Sequence, residues 1–377
     1  MQSDTIKELN CLSENGSNLS IIVQGPLLKN NLQKDALMCQ HWRQMFPQAE
    51  IIFSISSCNF IDMKNKKDDF IQKSFLYDDI KHDTIQLNSL ETLFENSNII
   101  VGSFEGIPLP PIKNDTTSAN NINLQISAAQ KGLAYTSKKY VLRIRNDLCL
   151  TNKSFIDIYN NSAFKKRGNY SKFTQRVMIP EVFTINPLTL FRMPFHYSDW
   201  FHFGLTEDVK RIWDEVIPMR FPDSIYYENH NHIDYSNVLE KRFIVKIACE
   251  QYIHFPYFKK SFPEIQLNYH NDTRYAKESL FIMADNFVIA NLRDINSYIS
   301  KYQHIVRKMS KHTRVECMSQ EILDRIINDP YFNIDGLIRE QKKKSDHRMF
   351  WGYDYRTALF RRLRKACNRF FRWYRES

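Results

Sequence analysis

The chain has 377 residues and a formal net charge of +10, which comes from 52 lysines and arginines against 42 acidic residues. Residues 337–377 hold 13 of the basic and 4 of the acidic side chains, so the first 336 residues carry a net charge of only +1. A general nucleic-acid-binding protein spreads its basic surface over the folded domain, and no nucleic-acid partner is therefore expected. With 43% hydrophobic residues and 9 glycines, the composition also excludes a disordered or a fibrous protein.

Seven cysteines are scattered without a CxxC pair, which is typical of reduced thiols in a cytosolic protein and makes a zinc ribbon unexpected. The N-terminus lacks the basic and apolar segments of a secretory signal, and no stretch reaches the roughly 18 apolar residues that cross a bilayer. We therefore expect a protein that is not secreted by that route and does not span a membrane.

The first part of the chain alternates buried strands with helices. Residues 19–23 predict a strand that ends at Gln24-Gly25-Pro26, a sequence typical of a ligand-facing loop. Residues 31–46 predict a helix, and residues 49–56 and 98–102 predict two further strands. Because a strand–helix–strand unit pairs its strands in parallel, the pattern predicts an α/β fold.

Residues 118–150 are the most informative segment. The first half predicts a helix with one apolar face and a neighbouring polar stripe, including Asn121 and Gln125, that can touch a ligand. The second half predicts a strand over residues 140–144, which continues into Arg145-Asn146-Asp147. Ligands of open α/β sheets sit at the carboxyl ends of the strands, so the sequence delivers Asp147 to the expected site.

The alternation of strands and helices continues less regularly after residue 150. Strands are predicted at 177–184 and 198–204, and the second is followed by a helix at 206–216 with Thr206 as its cap. The predicted organisation is an N-terminal lead, an α/β domain, a helical extension and a basic tail, at residues 1–17, 18–295, 296–336 and 337–377.

Transfer of a sugar from a nucleotide needs a nucleotide pocket, a group that neutralises the leaving phosphate, and a base for the acceptor hydroxyl. For the pocket the sequence offers Gln24, Gly25 and Pro26, with Ser54 or Ser56 at the end of the second strand. Many α/β proteins turn with Gly-Pro, so a purely structural turn is the alternative.

Asp147 is the strongest candidate beside the phosphate. A carboxylate directly after a buried strand is well placed to hold Mg²⁺ or Mn²⁺ against phosphate oxygens. The alternative is a turn residue that pairs with Arg145.

Glu250 and Asp199 are the candidate bases, because an acidic side chain in an apolar context has a raised pKa or a partner. A buried ion pair is the alternative for Glu250, and a turn at the start of a strand is the alternative for Asp199. For Asp199 the preferred role is a hydrogen bond to an acceptor sugar that stacks on Trp200.

The segment 228–234 (ENHNHID) has two histidines that can chelate a metal. A solvated loop is favoured, because no third ligand is identifiable and the spacing matches no standard zinc motif. The sequence also lacks the Walker A, GxGxxG and GxSxG motifs of ATPases, dehydrogenases and α/β-hydrolases.

Residues 355–374 have an aromatic and apolar face beside several arginines when placed on a helix. This pattern predicts a helix in an anionic membrane interface. A terminal helix docked on the body and a nucleic-acid-binding arm are the alternatives.

Four short segments follow one another in a specific order: LSIIVQGP at 19–26, the polar helix at 121–133, YVLRIRND at 140–147 and SDWFHFG at 198–204. Together they resemble the WavE-type lipopolysaccharide synthesis proteins, which look like GT-A glycosyltransferases. The resemblance covers roughly residues 18–290 and leaves out the tail.

The resemblance implies a GT-A-like, Rossmann-related mixed sheet flanked by helices, with a C-terminal helical extension. It also implies a nucleotide-sugar donor, a glycolipid or oligosaccharide acceptor, and work at the cytoplasmic face of a bacterial inner membrane. The tail's own pattern predicts that the protein is bound peripherally to that membrane. The donor would contact Asn146, Arg143 and Arg145 besides the residues above, and the acceptor would contact Trp200 and His202.

GT-A enzymes hold a metal with an Asp-x-Asp at the end of the central strand. Here that position is Arg145-Asn146-Asp147, so only the second of the two carboxylates is present. A divalent cation is therefore an uncertain cofactor. Arg143 or Arg145 is the alternative partner of the phosphate. The resemblance favours Glu250 over Asp199 as the base.

A glycosyltransferase of lipopolysaccharide core, O-antigen or capsule synthesis is therefore the first hypothesis. A sugar-phosphate transferase of surface polysaccharide synthesis and a noncatalytic protein recruited through the tail are the alternatives.

Overall fold

The computed structural model describes residues 12–26, 32–59, 98–105, 109–116, 118–189, 191–299, 317–328, 333, 335–337 and 339. Its strands are β1 (Leu19–Gly25), β2 (Glu50–Asn59), β3 (Asn98–Glu105), β4 (Tyr140–Arg145), β5 (Leu148–Leu150), β6 (Val177–Pro180), β7 (Phe201–Leu205), β8 (Phe287–Ala290) and β9 (Ser297–Ile299). The helices longer than two turns are α1 (Leu32–Met45), α2 (Ile122–Ala134), α3 (Ser154–Ala163), α4 (Thr206–Asp214), α5 (Cys249–Ser261), α6 (Ala276–Asn286) and α7 (Gln320–Asn328).

Seven strands form one sheet in the order β3-β2-β1-β4-β7-β6-β8, and β5 pairs with β9 beside it. The strand β7 runs antiparallel to both of its neighbours, whereas β1 pairs in parallel with β2 and β4. The predicted mixed sheet flanked by helices is confirmed. The predicted parallel β1–α1–β2 unit is confirmed as well.

Two apolar layers cover the two faces of this sheet. On one face, α1 and α3 pack over the strands with the aromatic side chains of Trp42, Phe46 and Phe155. On the other face, α2, α4, α5, α6 and α7 pack together around Trp213 and Phe287. Side chains of a strand alternate between the two faces of the sheet. This alternation determines which polar side chains of β1 and β4 lie beneath α2.

Three predicted boundaries differ from the structure. The strand predicted at 177–184 ends at Pro180, and the chain turns there with Phe183 in the left-handed region at φ 64°. The strand predicted at 198–204 begins only at Phe201. Thr206 is not a helix cap, because its hydroxyl donates to the carbonyl oxygen of Lys138 at 2.7 Å.

The C-terminal part is described only in pieces. Helix α7 packs into the same core as α6 through the fully buried Leu323. Apart from Leu337, which is buried, and Arg339, the predicted tail lies outside the described residues. No helix in the described part of the chain is long and apolar enough to cross a bilayer.

Candidate functional site

A closed ring of hydrogen bonds joins β1, α2, β4 and the turn before β7 at the carboxyl edge of the sheet. Arg143 Nε donates to Gln24 Oε1 at 2.6 Å, and Gln24 Nε2 donates to the carbonyl oxygen of Gln125 at 2.7 Å. Gln125 Nε2 donates to Asp199 Oδ2, and Arg143 Nη1 donates to the carbonyl oxygen of Asp199. The sequence predicted these four residues separately, and the structure brings them together.

Arg143 holds this ring from inside the protein. Its side chain is fully buried, and its guanidinium carbon lies 4.7 Å from the ring centroid of Trp213. Burial lowers the pKa of Arg143 to about 10, while Asp199 opposes the shift, so the guanidinium remains charged at neutral pH. Arg143 therefore fixes Gln24 and Asp199, and in this conformation it does not face solvent.

Glu250 lies in the first turn of α5, beside this ring. Its carboxylate faces His196, with Glu250 Oε2 3.3 Å from His196 Nε2, and its side chain is 17% exposed. Burial raises the pKa of Glu250, the charge of Asp199 raises it further, and His196 lowers it. Glu250 is thus a partly accessible carboxylate with a raised pKa, which suits a general base.

The hydrogen bond of His196 on its other side fixes which ring nitrogen faces Glu250. His196 Nδ1 lies 2.9 Å from the carbonyl oxygen of Phe183. A carbonyl oxygen only accepts, so Nδ1 carries a proton, and Nε2 is the ring nitrogen that lies towards the carboxylate of Glu250.

Gln251 positions the segments around this pair. Its side chain donates to the carbonyl oxygens of Pro194 at 2.7 Å and His270 at 2.8 Å, and accepts from the backbone of Ala248 at 3.1 Å. Pro194, two residues before His196, is therefore hydrogen-bonded directly to the first turn of α5, the helix that carries Glu250.

Two further histidines, His202 and His254, contact each other next to the backbone of Glu250. His202 Nε2 and His254 Nε2 are 3.0 Å apart, and His254 Nδ1 is 2.7 Å from the carbonyl oxygen of Glu250. Burial lowers the pKa of His254 to about 4 and also lowers that of His202, so both rings are neutral. His254 must donate from Nδ1, which leaves its Nε2 to accept from His202.

Asp147 lies in the turn after β4 and pairs with Arg145. Arg145 donates to both of its carboxylate oxygens, at 2.9 Å and 2.6 Å. Within the described ranges, no three His, Cys, Asp or Glu side chains come together as a metal centre would require. The divalent cation therefore stays a prediction.

Asn146 closes the loop that follows β1. Its amide nitrogen donates to the carbonyl oxygen of Pro26 at 3.1 Å and lies 3.5 Å from Asp35 Oδ1. A Cβ atom on Gly25 would lie 2.1 Å from Asn146 Oδ1, so a side chain at this position would displace Asn146. The glycine thus permits a close approach between the ends of β1 and β4.

The remaining predicted residues are more dispersed. Asn121 is exposed just before α2, and Ser56 pairs with Gly102 between β2 and β3, although its side chain is outside the described residues. Trp200 is 3% exposed in the core layer of α1 and α3, and His202 is fully buried on the other face. In this conformation neither ring is accessible to an acceptor sugar.

His196, Gln251 and His254 belong to the candidate site, although the sequence does not indicate them as site residues. His196 comes from an irregular segment, and its partner lies 54 residues further along the chain. The segment 195–200 (FHYSDW) does place a histidine three residues before Asp199, which is the only local signal.

Residues 110–298, half of the chain, match the family model described as WavE lipopolysaccharide synthesis. No curated protein matches the sequence. An active-site mutant of LgtC shares 9% identity over 73% of each chain with a TM-score of 0.30. TarS from S. aureus shares 10% identity over 82% of this chain and 69% of its own, with a TM-score of 0.29. Mouse xyloside xylosyltransferase 1 shares 9% identity over 75% of this chain and 97% of its own, also at 0.29. Likenesses with such low TM-scores carry no inference about activity.

Proposed function

Because the chain belongs to the WavE lipopolysaccharide synthesis family, we propose that it is a glycosyltransferase that moves a sugar from a nucleotide to a lipopolysaccharide glycan. The observation that carries the proposal is the Glu250–His196 pair beside Asp199, at the carboxyl edge of the central strands. Ligands of such sheets bind at this edge.

Glu250 is the proposed base. The acceptor hydroxyl gives its proton to Glu250 while its oxygen forms a bond to the anomeric carbon, and the bond from that carbon to the phosphate oxygen of the nucleotide breaks. His196 favours the ionised form of Glu250 and so keeps it available as a base. Asp199 is held in place by Gln125 and Arg143, and its proposed role is to orient the acceptor.

Arg145 is the proposed partner of the leaving phosphate. It ends β4, its side chain is 26% exposed, and its two bonds to Asp147 fix the direction of the guanidinium plane. Arginine binds phosphate oxygens through paired hydrogen bonds, and this contact does not depend on a metal ion. The nucleotide is proposed to lie near Gln24, Gly25 and Pro26, next to Asn146.

The test replaces the base without changing its shape. The Glu250→Gln variant should lose about 10²- to 10⁴-fold in the rate of sugar transfer, because an amide cannot accept the proton. Glu207→Gln is the matched control, since Glu207 is an exposed glutamate in the first turn of α4. Transfer is measured with a panel of nucleotide sugars and lipopolysaccharide-core acceptors, and folding is checked by thermal unfolding.

The pH dependence of the transfer rate provides a second test of Glu250 as the base. The rate should fall as the pH falls through the raised pKa of Glu250, because the protonated carboxyl cannot act as a base. The presence of His196 lowers the pKa of Glu250. In the His196→Gln variant this pKa should therefore rise, and the fall in rate should occur at a higher pH than in the wild type. Full activity of Glu250→Gln, or an unshifted profile of His196→Gln, would contradict the assignment of Glu250.

A further inference from the structure

A cavity of about 300 Å³ lies between the segment 166–170, helix α6 and the end of helix α7. Its volume is at the lower end of the range that small-molecule sites occupy. The described residues that line it belong neither to the ring of hydrogen bonds nor to the Glu250–His196 pair. It is called the α6–α7 cavity below.

The α6–α7 cavity and the proposed catalytic site lie at opposite edges of the sheet. Asp285, which lines the cavity, is close in sequence to Phe287, the first residue of β8. Strand β8 pairs in parallel with β6, and both β6 and β4 run antiparallel to β7, so β8 and β4 point the same way. The cavity is therefore near the amino ends of these strands, whereas the ring of hydrogen bonds is at the carboxyl edge.

One wall of the α6–α7 cavity is apolar. Phe281 of α6 and both Ile326 and Ile327 of α7 line it, and all three side chains are half-buried, so each keeps some surface in contact with water. Tyr170 extends this wall, because its ring stacks on that of Phe281 with 5.7 Å between the centroids and an interplanar angle of 8°. An apolar chain that entered the cavity would remove this surface from water.

Two cations line the same cavity. The segment 165–172 (KKRGNYSK) has four basic and no acidic side chains, and its members Lys166 and Arg167 are lining residues. Arg167 donates Nη1 to the carbonyl oxygen of Phe173 at 2.7 Å and Nη2 to that of Thr174 at 2.9 Å. Both acceptors are uncharged, so these bonds hold the guanidinium in place without neutralising its charge.

Asp285 also lines the cavity, but the protein itself uses its carboxylate. Oδ1 accepts the backbone N–H of Gly168 at 2.7 Å, and Oδ2 accepts that of Tyr170 at 2.9 Å. These bonds hold the segment 168–170 against α6, and the two N–H groups offset part of the negative charge. Because both oxygens are already bound, Asp285 is a poor acceptor for sugar hydroxyls. The cavity therefore favours a ligand with an apolar part and a negative charge.

We propose that the α6–α7 cavity binds one acyl chain of an anionic lipid, with Lys166 and Arg167 at the phosphate of its headgroup. The chain packs on Phe281, Ile326 and Ile327, because both surfaces lose contact with water. Arginine and lysine bind phosphate oxygens through charge-assisted hydrogen bonds. The cavity is separate from the proposed catalytic site, so this inference goes beyond the proposed function and does not rest on it.

Calorimetric titration of the full chain with monomeric dihexanoyl phosphatidylglycerol tests the cavity. This lipid should bind saturably and about 10-fold more tightly than dihexanoyl phosphatidylcholine, which has no net charge, or glycerol 3-phosphate, which has no acyl chain. Ile327→Trp should fill the cavity and weaken the binding of phosphatidylglycerol about 10-fold. Lys166→Gln should reduce the preference for phosphatidylglycerol over phosphatidylcholine.

The matched controls are Ile217→Trp and Lys131→Gln, which change an exposed isoleucine and an exposed lysine outside the cavity lining. Both should bind phosphatidylglycerol like the wild type. The basic tail is present in all of these proteins, so a difference between them reports on the cavity and not on the tail. Thermal unfolding checks that each variant is folded.

No saturable binding of phosphatidylglycerol, equal affinity for the two phospholipids, or equally tight binding of glycerol 3-phosphate would overturn the assignment. Unchanged binding by a folded Ile327→Trp variant would also overturn it, because the lipid would then lie outside the cavity. If Ile327→Trp does not fold, the exposed Lys166 decides, and an unchanged lipid preference of Lys166→Gln rejects the site. Thermal shifts with nucleotide sugars should be the same for the wild type and Lys166→Gln, which separates this result from the proposed function.

Discussion

Asp35 in the first turn of α1 is a buried carboxyl whose ionisation opposes folding. It is 1% exposed, and burial raises its pKa from 3.8 to about 7, although Lys34 and Asn146 act against the shift. In the unfolded chain the group ionises near pH 4, so stability is lost as the pH rises from about 4 to about 7. Above that range the loss is complete and no longer changes with pH.

Asp35→Asn removes the ionisation, and the variant should gain stability relative to the wild type as the pH rises. The gain should grow between pH 4 and 7 and reach about 2–4 kcal/mol at pH 8, because one pKa unit corresponds to about 1.4 kcal/mol. Urea unfolding at pH 5 and pH 8 measures it. Asp157→Asn, an exposed residue in the first turn of α3, is the control and should show no such trend. A pH-independent difference for Asp35→Asn would contradict the account.

At the level of single residues, local sequence indicates the type of a side chain better than its partner. The turn after β4 drew attention to Asp147 as a metal ligand, but its partner in the structure is Arg145, two residues away. Glu250 was selected for its apolar surroundings, and its partner His196 lies far from it in sequence. Such long-range pairs depend on loop conformation, for which the sequence carries no periodic signal.

Helix α2 links the sheet to the ring of hydrogen bonds, and Gly132 sets its distance from the strands. A Cβ atom at this position would lie 2.9 Å from Ile22 Cγ2 and 3.1 Å from the Cβ of Ser54. The neighbouring Ser54 hydroxyl donates to the carbonyl oxygen of Ala128 at 2.7 Å, so this part of the helix is held against β2. The close approach leaves no room for a larger residue.

Gly132→Val should therefore destabilise the protein by about 2–4 kcal/mol, because overpacking forces the helix away from β1 and β2. Ala134→Val introduces the same β-branched side chain at an exposed position of the same helix, and it should cost less than about 1 kcal/mol. Urea unfolding of both variants measures the difference. Similar costs for the two substitutions would show that helix propensity, and not the contact with the sheet, determines the effect.

The elements themselves were largely predictable, because continuous apolar runs distinguish buried strands from amphipathic helices. The runs at β1, β2 and β4 begin or end within a few residues of the predicted positions. Prediction failed at the end of β6, where Pro180 is the last residue of the strand and Phe183 in the following turn adopts a left-handed backbone conformation. It also failed to reveal that Trp200 is buried, because the face of a residue just outside a strand depends on how the neighbouring loops pack.

On the scale of the whole molecule, the excess positive charge and the proposed catalytic site belong to different parts of the sequence. The site belongs to a part of the chain that is nearly neutral, whereas residues 340–377 hold 12 basic and 4 acidic side chains. An aromatic and arginine-rich sequence of this kind is attracted to anionic membranes, with about 1 kcal/mol for each basic residue near the surface. The proposed acceptor is anchored in a membrane, so a tail of this composition would keep the proposed glycosyltransferase near that acceptor.

Truncation after Arg339 should weaken binding to anionic vesicles and leave nucleotide-sugar binding unchanged. This end point keeps Leu337, which is 3% exposed and whose removal would uncover apolar surface. Sedimentation with vesicles of 30% phosphatidylglycerol should show at least a 10-fold weaker binding of the truncated chain, and neutral vesicles should show no difference. Because the attraction is electrostatic, the binding of the full chain should also weaken with added salt. If the truncated chain binds anionic vesicles as tightly as the full chain, then the attachment surface belongs to the folded body and not to the tail.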